Sequence, residues 1–234
     1  MKRSFATNKF YHLFNRGVDK RKIFLNKNDY IRFIHDIYEF NDSNPAVQFS
    51  RLTREDNVGS PTSNIKPREP LVNIHAFVMM SNHYHSLVEQ LKEGGVTLFM
   101  RKLHTGYTNA FNLKQERSGH LFQGSFKAVH VEDDVQLAHL VCYQHSNPLD
   151  IWKPSWKEKK LTASEVKEAL KFLETKYRWS SHLDYLGIKN FPSVIHKDFL
   201  SKFFGGAEGY KKFFIDWLRQ YEKGVEDIRD FILE

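Results

Sequence analysis

Leu71-Val72-Asn73-Ile74-His75-Ala76-Phe77-Val78-Met79-Met80-Ser81-Asn82-His83-Tyr84-His85-Ser86-Leu87-Val88-Glu89 reads as two β-prone runs, Leu71–Met80 and His83–Glu89, separated by a short polar break at Ser81-Asn82. Both have the character of central strands. Successive strand side chains alternate between faces, so His83 and His85 project together. Two imidazoles on one face make half a metal site. A His-x-His pair is by itself a weak signal in a chain with 12 histidines, where ordinary surface or core roles are the bland reading. A third ligand is needed.

Working upstream, Phe10–Arg16 alternates with Phe10, His12 and Phe14 on one face and Tyr11, Leu13 and Asn15 on the other, and Gly17 ends it. Asn28 is positioned to cap a helix whose apolar residues Tyr30, Ile31, Ile34, Ile37 and Tyr38 recur at helical spacing, and the cluster Asn41–Pro45 stops it. Ala46–Leu52 reads as another strand. Thr53–Pro70 is polar, holds Pro61, Pro67 and Pro70, and reads as a flexible insertion. Downstream, Gly94-Gly95 precedes a helix with the stripe Val96, Phe99, Met100, Leu103, Tyr107, Ala110 and Phe111, which leaves Arg101 and Lys102 facing outward. His120–Val131 is β-prone around Gly124. Asp133 or Asp134 then caps a helix to about Asn147, which Pro148 should stop. Thr162-x-x-Glu165 is a capping box opening a helix through Leu173, and residues 190–234 read as amphipathic helices docked on the rest.

Composition bounds the function. The chain has 234 residues, 41% of them hydrophobic, enough for a sizeable core. Thirty-five Lys and Arg against 28 Asp and Glu give a net charge of +7, which favours a polyanionic partner. The single cysteine, Cys142, excludes an intrachain disulfide and any multi-thiolate zinc site, and its apolar helix makes it a small core residue. No apolar stretch approaches a membrane span and the first residues lack a signal-peptide core, so a soluble cytoplasmic protein with no membrane partner is expected.

The helix ending at Asn147 can complete the site. Tyr143 and Asn147 are four residues apart and share a face, which sets a hydroxyl nucleophile beside an amide oxygen. The alternative is a buried tyrosine followed by an ordinary Asn-Pro helix stop. Tyr107 is the rival tyrosine, but it lies on the apolar stripe with Phe111 at its i+4 position and reads as core. His145 falls roughly on the opposite side of the helix from Tyr143 and is a lesser candidate.

Taken together, these segments resemble the HUH nucleases, in the branch of single-tyrosine transposases and their REP-associated relatives. Tyr11-His12-Leu13-Phe14-Asn15-Arg16-Gly17 resembles the family's first strand and turn, and Ala76–His85 its metal strand. Gly119-His120-Leu121-Phe122-Gln123-Gly124-Ser125-Phe126-Lys127 resembles the strand before the catalytic helix, Tyr143-Gln144-His145-Ser146-Asn147-Pro148 its Tyr-x-His-x-Asn-Pro signature, and Tyr177-Arg178-Trp179-Ser180-Ser181 a recurrent later block. The blocks occur in the family's order. Two departures stand out: Leu149-Asp150-Ile151-Trp152 replaces the usual small apolar, basic and glycine residues after Asn147-Pro148, and the 53–70 insertion has no counterpart.

The resemblance implies an α+β fold with a ferredoxin-like central antiparallel sheet and helices packed on it, formed by residues 1–187, plus a C-terminal helical extension at 188–234. It implies that His83, His85 and Asn147 hold a divalent cation, Mg2+ or Mn2+, and that Tyr143 attacks single-stranded, hairpin-flanking DNA to give a 5′-phosphotyrosine and a free 3′-hydroxyl. Strand joining then needs no ATP. Arg16, Lys20, Arg21, Lys22, Arg101, Lys102 and Lys127 are the basic residues expected at the DNA backbone. A monomer and a homodimer with shared sites both fit. Competing readings are a catalytically idle hairpin-DNA-binding protein and a water-using metal-dependent hydrolase, the latter lacking a convenient carboxylate beside His83 and His85.

Overall fold

Met80 pairs with His83 across Ser81-Asn82, closing β2 (Val72–Met80) and β3 (His83–Gln90) into a tight antiparallel hairpin. The computed structural model describes residues 4–45 and 67–229. The expected strand Ala46–Leu52 and nearly all of the insertion at 53–70 lie outside the described residues. β1 (Phe10–Arg16) pairs with the other side of β3, and β4 (Lys127–Val131) with β1, giving the antiparallel order β2-β3-β1-β4. This is the α+β architecture expected, with one change of position: β2 is an edge strand of the ladder. Its outer edge is covered by the segment 177–181, where the Met79 N–H donates to the Trp179 carbonyl at 2.9 Å and the Ser181 N–H to the Phe77 carbonyl at 3.0 Å. The run is apolar on both sides because both faces of the strand are packed, Ala76 in one core cluster and Ile74, Phe77 and Met79 in the other.

The extended run expected over His120–Val131 is shorter, with ladder pairing only from Lys127. Before it Phe122 makes one isolated bridge to Gly17, the Gln123 N–H donates to the Arg16 carbonyl at 2.8 Å, and Gly124 takes φ +67°. A left-handed residue ends strand pairing, and Gly adopts it without a Cβ clash.

α1 (Lys27–Phe40) and α2 (Gly95–Lys114) cover one face of the sheet. α1 is capped by Asn26 and not Asn28: the Asn26 side chain accepts from the Asn28 N–H at 3.0 Å, and Asp29 accepts in return from the Leu25 and Asn26 N–H groups. The reciprocal box satisfies more helix-end donors than a cap at Asn28 would. Leu13, Phe33, Phe77, Tyr84, Val88, Phe99, Leu103 and Tyr107 form the core between these layers. Tyr107 is core as expected, its hydroxyl donating to the Ile23 carbonyl at 2.6 Å.

The opposite face carries α3 (Asp134–Ser146), which Asp133 caps. Pro148 does not end the helical path. Asn147 and Pro148 both stay right-handed and lead directly into α4 (Leu149–Trp152), because a proline at a helix start gives up an N–H that has no intrahelical acceptor there. Then come α5 (Ala163–Thr175), opened by the Thr162–Glu165 capping box, α6 (His182–Tyr185), α7 (Asp198–Phe204), α8 (Gly206–Arg219) and α9 (Tyr221–Glu226). Tyr210, Phe214, Trp217 and Leu218 of α8 share one core with Ala76, Leu87, Cys142 and Tyr143. Residues from the 188–234 segment therefore supply part of the layer that buries α3. Among the described residues no helix is long and apolar enough to cross a membrane.

Gly17 closes β1 where space is tight: a Cβ there would stand 2.2 Å from the Arg21 carbonyl oxygen. The backbone between them cannot move freely, since the Gly17 N–H donates to the Asn82 carbonyl at 2.8 Å and the Ile23 N–H to the Ser81 carbonyl at 2.8 Å. Gly17→Ala should cost about 1–3 kcal/mol, read as a lowered midpoint in thermal unfolding; an unchanged midpoint would show that the loop relaxes without strain.

Candidate active site

Strand alternation sends His83 and His85 toward the face that carries α3, as expected, with ring centroids 5.2 Å apart and planes perpendicular. Pairing with β1 places Phe14 opposite His85 and Arg16 opposite His83. Each histidine is oriented by a neighbour. The His83 Nδ1 lies 2.7 Å from the Asn82 Oδ1, and the His85 Nδ1 lies 2.9 Å from the His12 Nε2, the two rings stacked at 5.1 Å. Burial holds the His85 imidazole well below its ordinary pKa, with the His12, His83 and Lys157 charges adding in the same direction. It is neutral at pH 7 and keeps a lone pair for a ligand.

α3 brings Tyr143 across from the strand. Its ring meets the His85 ring edge-on at 5.9 Å, and it is only 2% exposed. Asn147, one turn on, sits on the same helix end: its Nδ2 donates to the Tyr143 carbonyl at 2.8 Å and its backbone N–H reaches the same oxygen at 3.2 Å. The side-chain amide is thus oriented with nitrogen toward the helix, which leaves Oδ1 as the atom to accept or ligate.

The donor set suits a divalent cation in an open site. Among the described residues no group of three or more His, Cys, Asp or Glu side chains is arranged to hold a metal ion. A cation would rest on the His83 and His85 imidazoles, with an amide oxygen, water and substrate oxygens completing its shell. His12 is the orienting partner: with a cation on the His85 Nε2, the proton must sit on Nδ1 and point at the His12 Nε2. His12→Ala should then weaken activation by metal about 10–100-fold while the fold persists, as measured by a titration of Mn2+ against activity. An unchanged titration would reduce His12 to packing.

The other expected residues divide into three groups. Arg16 flanks His83, and Lys20, Arg21 and Lys22 are exposed on a loop fastened to Ser81 and Asn82. In that loop Asp19 and Lys20 hold φ of +54° and +57°, a locally strained conformation. Lys127 stands over the Phe14 ring, which stacks on His85 at 5.6 Å, so these cations gather at the histidine end of the sheet. Arg101 and Lys102 lie on α2, across the sheet from Tyr143. Lys102 does not face freely outward: its ammonium donates to the carbonyls of Asp42 at 2.6 Å and Asn44 at 2.8 Å, pinning the end of α1. His145 is fully buried with both ring nitrogens engaged, Nδ1 with the Tyr210 hydroxyl and Nε2 with the Ser181 hydroxyl, each at 2.7 Å. It fastens α3 to α8 and has no free nitrogen for the site.

Two residues escaped the sequence. His12 was legible as facing the same way as Phe14, but only the neighbouring of β1 and β3 makes it a partner of His85. Lys157 follows no motif. Asp150 gathers it, accepting from the Lys157 ammonium at 2.9 Å and from the Trp156 indole at 2.7 Å.

The fold and this site define a class by shape: a four-stranded antiparallel sheet whose inner strand presents paired histidines to a tyrosine on a covering helix. Among solved structures the chain is similar to a REP-associated tyrosine transposase bound to a REP hairpin, with a TM-score of 0.50 and 16% sequence identity, covering 85% of this chain and 91% of that one. No protein-family model matches the chain, and no curated protein matches it.

Proposed function

We propose that the protein is a DNA strand transferase of the transposase kind, which cleaves and rejoins single-stranded DNA flanking a hairpin through attack by Tyr143. The observation that carries this reading is the meeting of Tyr143 on α3 with the neutral, His12-oriented His85 on β3. In this reading a bound divalent cation supplies Lewis acidity to the scissile phosphate. His83, His85 and the Asn147 Oδ1 are the neutral ligands that would hold it. The Tyr143 oxygen would form the new bond to phosphorus as the bond to the departing 3′-oxygen breaks, the phenol proton ending on that oxygen, so a 5′-phosphotyrosine and a 3′-hydroxyl result. Arg16, Lys20, Arg21, Lys22 and Lys127 neutralise backbone charge beside the sheet end. The similarity to a hairpin-bound transposase supports the substrate class.

The experiment is incubation with single-stranded hairpin DNA from the gene's own neighbourhood and Mg2+ or Mn2+, followed by a denaturing gel. A covalent protein–DNA adduct is expected, and hairpin binding without adduct in any metal would overturn the reading. A second reading, a hairpin-binding protein without catalysis, is favoured by one observation: at 2% exposure the Tyr143 side chain reaches a phosphate only if the wall around it opens.

A further inference from the structure

Between the loop that follows α4 and the junction of α8 with α9 runs an open cleft lined by Lys157, Lys159, Lys160, Arg219 and Lys223, with Tyr221 at its side. Five cations face one lining carboxylate, that of Glu222. Nearby acids offset some of this charge: Lys157 pairs with Asp150, Lys159 stands 3.7 Å from Glu165, and Arg219 stands 3.7 Å from Asp216. Lys159, Lys160 and Lys223 are nonetheless exposed, and each is free to turn its ammonium into the cleft. The Tyr221 ring is braced edge-on by Trp156 at 4.5 Å and Trp217 at 5.2 Å, so a half-buried aromatic stands among the lysines. A basic groove with a fixed aromatic is the pattern that follows a single strand, with phosphates on the cations and a base against the ring.

The position of the cleft gives it a direction. Lys157 lines it and donates to Asp150 at 2.9 Å, and Asp150 lies on α4, which follows directly from Asn147 and Pro148 at the end of α3. We infer that this cleft is a second nucleic-acid subsite, which carries the phosphate backbone of the single strand away from the Tyr143 site and across the C-terminal helices. It rests on the nucleic-acid reading above, and it gives the 188–234 extension a binding role in addition to burying α3.

The test uses the full-length chain and an oligothymidylate of about twenty nucleotides, long enough to span a single-strand site. The affinity is measured against salt concentration for the unaltered protein, for Lys159→Ala/Lys160→Ala/Lys223→Ala, and for a control with three exposed lysines replaced elsewhere, Lys167→Ala/Lys171→Ala/Lys176→Ala. Each phosphate contact on a single strand contributes ~0.7 to the slope of log affinity on log salt. The cleft triple should therefore flatten the slope by about 2 and the control should leave it unchanged. Failure to bind the oligomer, an unchanged slope in the cleft triple, or equal flattening in both triples would overturn the subsite. A flattened slope without any covalent adduct would keep the subsite and remove the proposed catalysis, and the converse pair of results would do the opposite.

Discussion

Acidification from about pH 6 to about pH 5 should lower this protein's stability by on the order of 4 kcal/mol, before most carboxylates titrate. Three histidines outside the candidate site set most of this, and His85 adds to them in the same direction. His104 is half-buried, with its ring stacked on Phe122 at 4.2 Å and its Nε2 2.6 Å from the Tyr84 hydroxyl, and the loss of water around the ring pushes its pKa down to about 3. His182 is likewise pushed down to about 3 by burial, with Lys211 adding to it, and burial takes His145 well below its ordinary value. Their folded pKa values lie below the unfolded one of ~6.5, so the unfolded chain binds the extra protons. The stability they permit is complete above pH 6.5 and is lost as pH falls toward 3, at up to ~1.4 kcal/mol per pH unit for each. Asp36 and Asp184, whose carboxyls burial raises, work the other way by protonating earlier in the folded state. Denaturant titrations at the two pH values measure the loss, and His104→Gln should return about a third of it. Equal stability at both would show that these imidazoles are hydrated or protonated in the folded protein.

Tyr143→Phe should abolish the covalent adduct, lowering it more than about a thousandfold, because the proposed bond to phosphorus needs the phenol oxygen. The ring stays in the core, so the substitution removes only a hydroxyl, about 1 kcal/mol of stability. Hairpin affinity should be unchanged, which separates loss of chemistry from loss of fold. Metal-dependent cleavage that survives Tyr143→Phe would instead identify water as the nucleophile.

Much of this molecule is written locally. The hairpin around Ser81-Asn82, the alternation that aligns His83 with His85, the Thr162–Glu165 box and the four-residue step from Tyr143 to Asn147 depend on contacts within a few residues, and periodicity reports them. Errors fell where two local signals compete. Asn26 and Asn28 are both capping residues, and only the reach of Asp29 decides between them; Pro148 signals a helix start as well as a stop.

The sequence by itself determined the positions of β1, β2 and β3, the shared facing of His83 and His85, and the four-residue step from Tyr143 to Asn147. The tertiary structure alone decided that His12 orients His85 from 73 residues away, that Lys102 is occupied by the end of α1, that His145 is a strut to Tyr210, and that Lys157 pairs with Asp150. The reason is physical: a side chain's facing is set by its own backbone, but its partner is set by which elements pack together, and that depends on how the whole chain buries its apolar surface.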